Sequence, residues 1–222
     1  TSVAADQNTT KPLPELDAWA HTHAPAPTPI RTSLSPSDLG GAKALGGDLG
    51  QSVDAAMVFG SQVHILLEHL PNHPPPDWDH IAPQILSAAG YDPDPDAIHQ
   101  AKSVITAPAL QYLFGPDVLA EVAVSAQLDH VGDLPIYGVI DRLVIAPDHV
   151  QVVDFKSNAT VPDTADEIPL GIVRQMAAYG LAMQAIYPDR QVCCAIVWTT
   201  TATVMEIPQT LWQNCSFDPA VA

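Results

Sequence analysis

Hydrophobic and polar positions follow two different periods along the chain, and the change of period separates a helical part from a part with strands. Between residues 53 and 70, hydrophobic residues recur at helical spacing, with Val63, Leu66 and Leu67 on one face. The prolines from Pro71 onward cannot continue a helix, so this helix is predicted to end there. Further helices are predicted at about 78–90 and 95–106, and a helical turn at 108–114.

Strands dominate the second part. Residues 136–145 and 149–156 are rich in β-branched and aromatic residues, and Ala146-Pro147-Asp148 between them has the composition of a turn, which predicts an antiparallel hairpin. The same patterns predict a strand at 121–127, a helix at 170–187, and strands at 191–200 and 203–208. The order of helices, three strands, a helix and two strands indicates an α/β fold with a mixed β-sheet flanked by helices.

Residues 1–50 have a different composition. Prolines recur up to Pro36, and glycine pairs follow at 40–41 and 46–47. Such a segment sustains neither a helix nor an inner strand. We therefore predict a linker over residues 1–50 that runs along the surface of a folded domain formed by residues 51–222. Its hydrophobic residues are expected to dock locally, namely Trp19, Ile30, Leu34 and Leu39.

Two aspartates and a lysine interrupt the hydrophobic runs of the predicted hairpin. Asp154 and Lys156 are two residues apart on one strand, so their side chains share a face. Asp141 is nearly as far from the turn as Asp154, which places the two carboxylates opposite each other, with Cβ atoms about 5 Å apart. Ionised carboxylates at that distance repel each other unless a cation lies between them. The hairpin therefore predicts a divalent-metal site.

The chemistry of such a site is phosphodiester hydrolysis. A metal held by Asp141 and Asp154 would activate a water for attack on phosphorus. Lys156 would orient that water or neutralise the phosphate oxygens. The alternative is a surface hairpin with exposed charges, which is the usual fate of a single Asp-x-Lys. Both aspartates here lie inside strongly hydrophobic runs, which favours the functional interpretation.

These motifs resemble those of a known family. The hairpin, followed by Gln175-x-x-x-Tyr179, resembles the nuclease domain of the PD-(D/E)xK superfamily in its RecB-like branch. The nearest resemblance is to the C-terminal domain of the AddA subunit of AddAB-type helicase–nucleases of alphaproteobacteria. The stretch from Phe59 to Pro71 resembles the family's Gly-x-x-x-His-x-Leu-Leu-Glu helix, and the likeness extends over about residues 55–210. It implies a restriction-endonuclease-like fold.

The resemblance implies roles that the pattern alone leaves undecided. It makes His64 a metal ligand, although a lone histidine on a hydrophobic helix face is more often structural. The backbone carbonyl of Phe155 would give the metal a further oxygen ligand. Gln175 and Tyr179, four residues apart on one helix face, would support the active site or contact DNA. Glu121 stays open between an exposed edge-strand residue and a metal-binding or water-positioning catalytic residue.

The same resemblance implies which cofactor and which partners this protein would have. Mg²⁺ is the expected ion, with Mn²⁺ possible because imidazole suits it. The three cysteines are too few for the iron–sulfur cluster of some RecB-like nucleases. The implied function is an exonuclease domain for single-stranded DNA in double-strand break repair and recombination. Helicase domains would lie upstream in the same polypeptide, with an AddB-like partner subunit. The alternatives are a catalytically idle docking module with a nuclease fold, or a stand-alone Cas4-like nuclease.

Net charge limits the DNA-binding interpretation. The chain has eight Lys and Arg against 25 Asp and Glu, a net charge of −17, whereas DNA-binding domains usually present a basic surface. Arg142, Lys156 and Arg174 concentrate the scarce positive charge in the motifs, and the two arginines, with Tyr179, are expected to contact DNA. No hydrophobic run approaches the about 18 residues of a membrane span. The absence of a secretory pattern and the cysteine usage predict a cytoplasmic protein.

Overall fold

The computed structural model describes residues 33–43, 52–128, 131 and 134–217, which belong to one compact unit that runs from Thr32 to Ala222. Its helices are α1 (Val53–His69), α2 (Trp78–Ala88), α3 (Pro95–Thr106), α4 (Leu170–Ile186) and α5 (Gln209–Gln213). Its strands are β1 (Val118–Ala126), β2 (Ile136–Ile145), β3 (His149–Lys156), β4 (Gln191–Trp198) and β5 (Thr203–Ile207). Short 3₁₀ turns lie at Pro36–Asp38, Leu70–Asn72, Pro75–Asp77, Gln111–Phe114 and Ala165–Glu167.

Most elements begin and end within a few residues of the prediction, and two differ. β1 begins at Val118, three residues earlier than predicted, because Val118 pairs with Val144 of β2. The short helix α5 was not predicted, since five residues after a proline carry too little periodicity to detect. Within the described residues, no helix combines the length and hydrophobicity needed to span a membrane.

The described strands form one five-stranded sheet in the order β1-β2-β3-β4-β5. β3 and β4 run parallel and are connected through α4, whereas the other neighbours run antiparallel. The predicted fold, a restriction-endonuclease-like mixed sheet flanked by helices, is confirmed.

The two faces of the sheet have separate hydrophobic cores. On β3, Val152 belongs to the core under α4, whereas Val153 and Phe155 belong to the core under α1, α2 and α3. A strand covered by helices on both faces has no reason to alternate between hydrophobic and polar residues. This explains the nearly continuous hydrophobic run in which Asp154 stands out.

β2 and β3 separate part of the way along their length. β3 pairs with β4 from end to end, but it pairs with β2 only over the stretch from Arg142 to Ile145. The last pair joins Arg142 to Val153, so Asp141 and Asp154 are the next residues on each strand. The two aspartates, which were expected to face each other, thus lie just beyond the last residue pair of β2 and β3.

Residues 33–43, named the strap here, are part of the fold. Leu34 exchanges backbone hydrogen bonds with the start of β2, donating to Pro135 O at 2.9 Å and accepting from Tyr137 N at 2.8 Å. Leu39 is only 5% exposed. Ala42 O accepts from the backbone N–H of Gly171, in the first turn of α4, at 2.9 Å. Residues 33–43 thus pack on the folded domain through Leu34 and Leu39, while the division between residues 50 and 51 stays a prediction. The remainder of residues 1–50 lies outside the described residues.

Close approach explains the glycines where the strap meets α4. Gly41 has a φ of +95°, which L side chains rarely adopt. A Cβ at Gly41 would lie 2.7 Å from Gly171 N, and a Cβ at Gly171 would lie 2.7 Å from Gly41 O. Both positions therefore need glycine. The glycine pair that suggested flexibility serves close packing instead.

Candidate metal and active site

Asp141 lies where β2 leaves β3, and the residue is 8% exposed. Its Oδ2 accepts a hydrogen bond from the backbone N–H of Phe155 at 2.6 Å. Its Oδ1 lies 3.5 Å from His64 Nδ1. The carboxylate thus takes the place of a strand carbonyl, since β2 no longer pairs with β3 at this position. The end of the ladder fixes the position of Asp141.

Asp154, Lys156 and Gln175 form a second group on the α4 side of β3. Lys156 Nζ lies 2.5 Å from Asp154 Oδ2, so the two side chains share a face as predicted. Gln175 of α4 donates from Nε2 to Asp154 Oδ1 at 2.9 Å and accepts from Lys156 Nζ at 3.1 Å. The amide therefore contacts both charged groups and holds them in one orientation.

His64 connects α1 to the two strands. Its Nε2 donates to the backbone carbonyl of Phe155 at 3.0 Å, while Nδ1 faces the carboxylate of Asp141. Both ring nitrogens therefore face oxygen acceptors, which favours the protonated imidazolium. Burial lowers the pKa of His64, but the negative charge of Asp141 and the hydrogen bond to it outweigh burial and leave the pKa raised.

Glu121 lies on β1 opposite Asp141, between the pairs Ala120–Arg142 and Val122–Ile140. Its φ of +50° is unusual for a residue with a Cβ, and the side chain is exposed. Partial desolvation of its carboxyl, together with the charges of Asp141 and Glu68, raises the pKa of Glu121 to about 7. The structure therefore places Glu121 beside the site.

Glu68 is the neighbour that the sequence analysis left without a role. It lies four residues after His64 on α1, so the two side chains share a helix face. That spacing is the signal by which it could have been found. The negative charge of Glu68 helps to raise the pKa of Glu121, so Glu68 belongs to the same group of neighbouring carboxylates.

The three side chains expected to contact DNA are buried by the fold. Arg142 donates to the backbone carbonyl of Leu67 and lies over the ring of Phe114. Arg174 donates to Ser216 O at 2.9 Å and to Leu39 O at 3.3 Å. Their exposures are 5% and 7%.

Tyr179 is 3% exposed and donates from its hydroxyl to Val139 O at 2.7 Å. Gly138 leaves room for that hydroxyl, since a Cβ there would lie 2.8 Å from it. The structure thus gives Arg142, Arg174 and Tyr179 structural contacts, and their contacts with DNA stay a prediction.

Replacing Tyr179 with phenylalanine tests whether its hydroxyl stabilises the fold or contacts DNA. We expect a loss of about 1 kcal/mol of stability, since a hydrogen bond between buried groups is broken. That loss corresponds to a decrease of about 2–4 °C in the unfolding midpoint. The KM for single-stranded DNA should not change, because the hydroxyl does not reach solvent. An increased KM at unchanged stability would restore Tyr179 as a DNA contact.

The donor atoms suit a hard divalent cation. Asp154 Oδ2 is buried, and its neighbour within the described residues is Lys156 Nζ. Asp141 and the Phe155 carbonyl supply further oxygens, and an ion beside them would replace the extra proton on His64. No three acidic, histidine or cysteine side chains of the described chain could enclose an ion by themselves. Mg²⁺ usually keeps several waters and binds through one or two carboxylates. The residues therefore fit a hard divalent cation that keeps several of its waters.

The raised pKa values of the site should make the metal-free protein more stable as the pH falls, and Glu121, with a pKa of about 7, places part of this change between pH 8 and 6. Burial, offset in part by Lys156, raises the pKa of Asp154, and the pKa values of His64 and Glu121 are raised as well. A raised folded-state pKa gives stability at low pH that is lost as the pH rises through that pKa. His64 and its neighbours lower the pKa of Asp141 despite its burial, so its contribution is lost only in acid, outside this window.

The measurement is the thermal unfolding midpoint in chelator at pH 6, 7 and 8. Glu121→Gln should flatten the trend, whereas Glu206→Gln, an exposed glutamate on β5, should not. Saturating Mg²⁺ should weaken the trend, because the ion stabilises the ionised carboxylates. A midpoint that rises with pH in chelator would contradict the assigned carboxylate cluster.

A family model decides the classification. The model of the PD-(D/E)XK nuclease superfamily matches residues 38–210. The chain belongs to this superfamily. Nucleases of the superfamily generally use divalent metal ions. The Asp154-Phe155-Lys156 run fits the second half of the superfamily signature, whereas Asp141 follows Ile140 where the name of the signature has proline.

Other comparisons are weaker. No curated protein sequence matches this nuclease-superfamily chain. A solved structure described as the crystal structure of SSO0001 is similar, with 12% sequence identity and a TM-score of 0.38. The similarity covers 85% of this chain and 75% of the other. At that TM-score it supports no inference about activity.

Proposed function

We propose that this chain is a metal-dependent exonuclease domain that degrades single-stranded DNA. The observation that carries the proposal is the meeting of Asp141, Asp154 and Lys156 where β2 and β3 separate, with the buried Asp154 Oδ2 held 2.5 Å from Lys156 Nζ. An idle fold gains nothing from burying two neighbouring carboxylates beside a single lysine, since buried like charges are costly.

Each residue of the site would have a distinct task. Asp141, Asp154 and the Phe155 carbonyl would hold Mg²⁺, or Mn²⁺ in its place, and His64 would become a further ligand only after releasing its present contacts with Asp141 and Phe155. The ion would supply an activated water and neutralise charge on the phosphate. Lys156 would direct its Nζ at the water or at a phosphate oxygen. Gln175 would fix Lys156 and Asp154, as its two hydrogen bonds do now. Glu121, on the exposed side, would position water or add an outer ligand.

The surroundings of the site support a single-stranded substrate. The first turns of α1 are exposed and hydrophobic, with Val53 and Met57 at 75% and 67% exposure. α1 passes close to the site, since a Cβ at Gly60 would lie 2.9 Å from Ser157 Oγ, next to Lys156. Unpaired bases offer hydrophobic faces that such a surface can contact, whereas duplex DNA offers mainly phosphates.

The proposed context is a helicase–nuclease of the AddAB type that processes double-strand breaks for repair and recombination. Helicase domains upstream in the polypeptide and an AddB-like subunit would deliver the DNA. The net charge of −17 supports this part of the proposal, because a chain so acidic attracts DNA poorly by itself.

The test incubates the purified chain with end-labelled linear and closed circular DNA, each single- and double-stranded, in Mg²⁺, Mn²⁺ or chelator. We expect degradation of linear single strands with either metal, none in chelator, and intact circles, which have no ends. Cleavage of circles would replace the exonuclease by an endonuclease. No cleavage of any substrate, while the superfamily fold is intact, would favour the idle docking module.

A further inference from the structure

Exposed positive charge near the site is scarce. Six of the eight Lys and Arg lie among the described residues, and five of them have partners in the fold. Lys102 pairs with Asp79, and Lys156 contacts Asp154. The three arginines, Arg142, Arg174 and Arg190, donate to backbone carbonyls. Lys43, the remaining one, is exposed and forms no ion pair within the described residues.

The fold holds the backbone of Lys43 beside the site. Asn158 Nδ2 donates to Lys43 O at 3.3 Å, and Asn158 follows Lys156 by two residues. The preceding residue, Ala42, is fixed by its hydrogen bond with the first turn of α4. The close approach of Gly41 to Gly171 leaves this part of the strap little freedom. Lys43 is therefore anchored at the point where β3 leaves the sheet.

We propose that Lys43 is a substrate-binding residue. It contacts the phosphate that neighbours the cleaved phosphate on the same DNA strand. This inference rests on the proposed nuclease function and adds a residue outside the sequence motifs. A lysine ammonium serves as a point charge for phosphate, and this one has no competing carboxylate in the described structure. On a surface this acidic, a single correctly placed cation has a large share in guiding the strand.

The proposal also gives the strap a task in substrate binding. Its hydrogen bonds to α4 and to Asn158 hold the backbone of Lys43 near the end of β3, where Lys156 lies. The strand would then be held by Lys43 at one phosphate and by the metal site at the next. Lys43 acts on binding and not on the chemical step, so its loss should appear in KM and leave kcat unchanged.

The test compares Lys43→Gln with Arg190→Gln, which removes the same charge at the other end of β3. Arg190 contacts the hairpin turn at Ala146, about 23 Å along the strand from Lys156 at about 3.3 Å per residue. Binding of a fluorescein-labelled 20-nucleotide single strand is measured in chelator over a salt series. Cleavage kinetics are measured in Mg²⁺.

For Lys43→Gln we expect KM to rise about 3- to 10-fold with kcat within about twofold, and the salt slope of binding to fall by about 0.7, the value for one phosphate contact. Lys43→Arg should restore both. Equal salt slopes for Lys43→Gln and Arg190→Gln, or an effect on kcat alone, would overturn the proposal. If the wild-type chain cleaves nothing, the proposed function fails, while the binding series in chelator still decides whether Lys43 contacts DNA.

Discussion

Replacing Asp154 with asparagine is expected to reduce DNA cleavage more than about 100-fold while the protein stays folded. Loss of a partner that only orients a metal ligand already costs about 10–100-fold, and Asp154 would itself be a ligand. Asparagine keeps the shape and can still accept from Gln175, so packing on α4 is retained. In chelator the variant should be as stable as the wild type or more stable, because repulsion between Asp141 and Asp154 is removed.

Single-turnover cleavage at saturating Mg²⁺ and thermal unfolding in chelator measure the two effects. Asp189→Asn is the matched control, since Asp189 is exposed in the turn between α4 and β4. Full activity of the Asp154 variant would contradict the assignment of the metal site to β3. A large loss of stability in chelator would instead show that Lys156 depends on Asp154 for its burial.

Two nested truncations should differ strongly in stability. Removing residues 1–31 should leave the unfolding midpoint within a few degrees, because the compact unit begins at Thr32. Removing residues 1–43 should cost about 4 kcal/mol, since each buried leucine contributes about 1.5–3 kcal/mol and the strap buries Leu39 and covers Leu34. For a domain of this size that is a decrease of about 10 °C.

The longer truncation also removes hydrogen-bond acceptors. The N–H of Gly171 loses Ala42 O, and Arg174 loses Leu39 O, which leaves polar groups of α4 without partners in the interior. Leu39→Ala isolates the hydrophobic part of the effect and should cost about 2–4 kcal/mol. Equal midpoints for the two truncations would mean that the strap is dispensable, and the linker interpretation would then hold for it.

The sequence was most informative where one local rule acts alone. The hairpin of β2 and β3 has the predicted bounds because turn chemistry and β-branched runs coincide. Asp154 and Lys156 share a face because strand geometry requires it. The contact of Gln175 with both was not derivable from spacing, since it depends on how α4 crosses the sheet. Only the resemblance to a family placed Gln175 at the site.

The contacts that the sequence did not reveal share a physical cause, which is that a sequence does not show which backbone groups will lack partners. Arg142 and Arg174 were expected to face DNA because arginine near a nuclease motif suggests phosphate binding. Each donates to backbone carbonyls that are distant in the sequence. The strap has the composition of a linker, but its peptide groups form hydrogen bonds with the start of β2 and with the first turn of α4. The left-handed backbone at Glu121 had no sequence signal either.

The separation of β2 from β3 makes one backbone amide a reporter on the site. The N–H of Phe155 is bonded to the carboxylate of Asp141 and not to a neighbouring strand. A bond to a charged acceptor is about twice as strong as a neutral one, so its strength follows the charge of Asp141. Exchange of this amide with deuterium therefore depends on whatever neutralises that carboxylate, through local opening and not global unfolding. Binding of an ion at the proposed metal site can thus be followed by the exchange of the Phe155 amide, without any substrate.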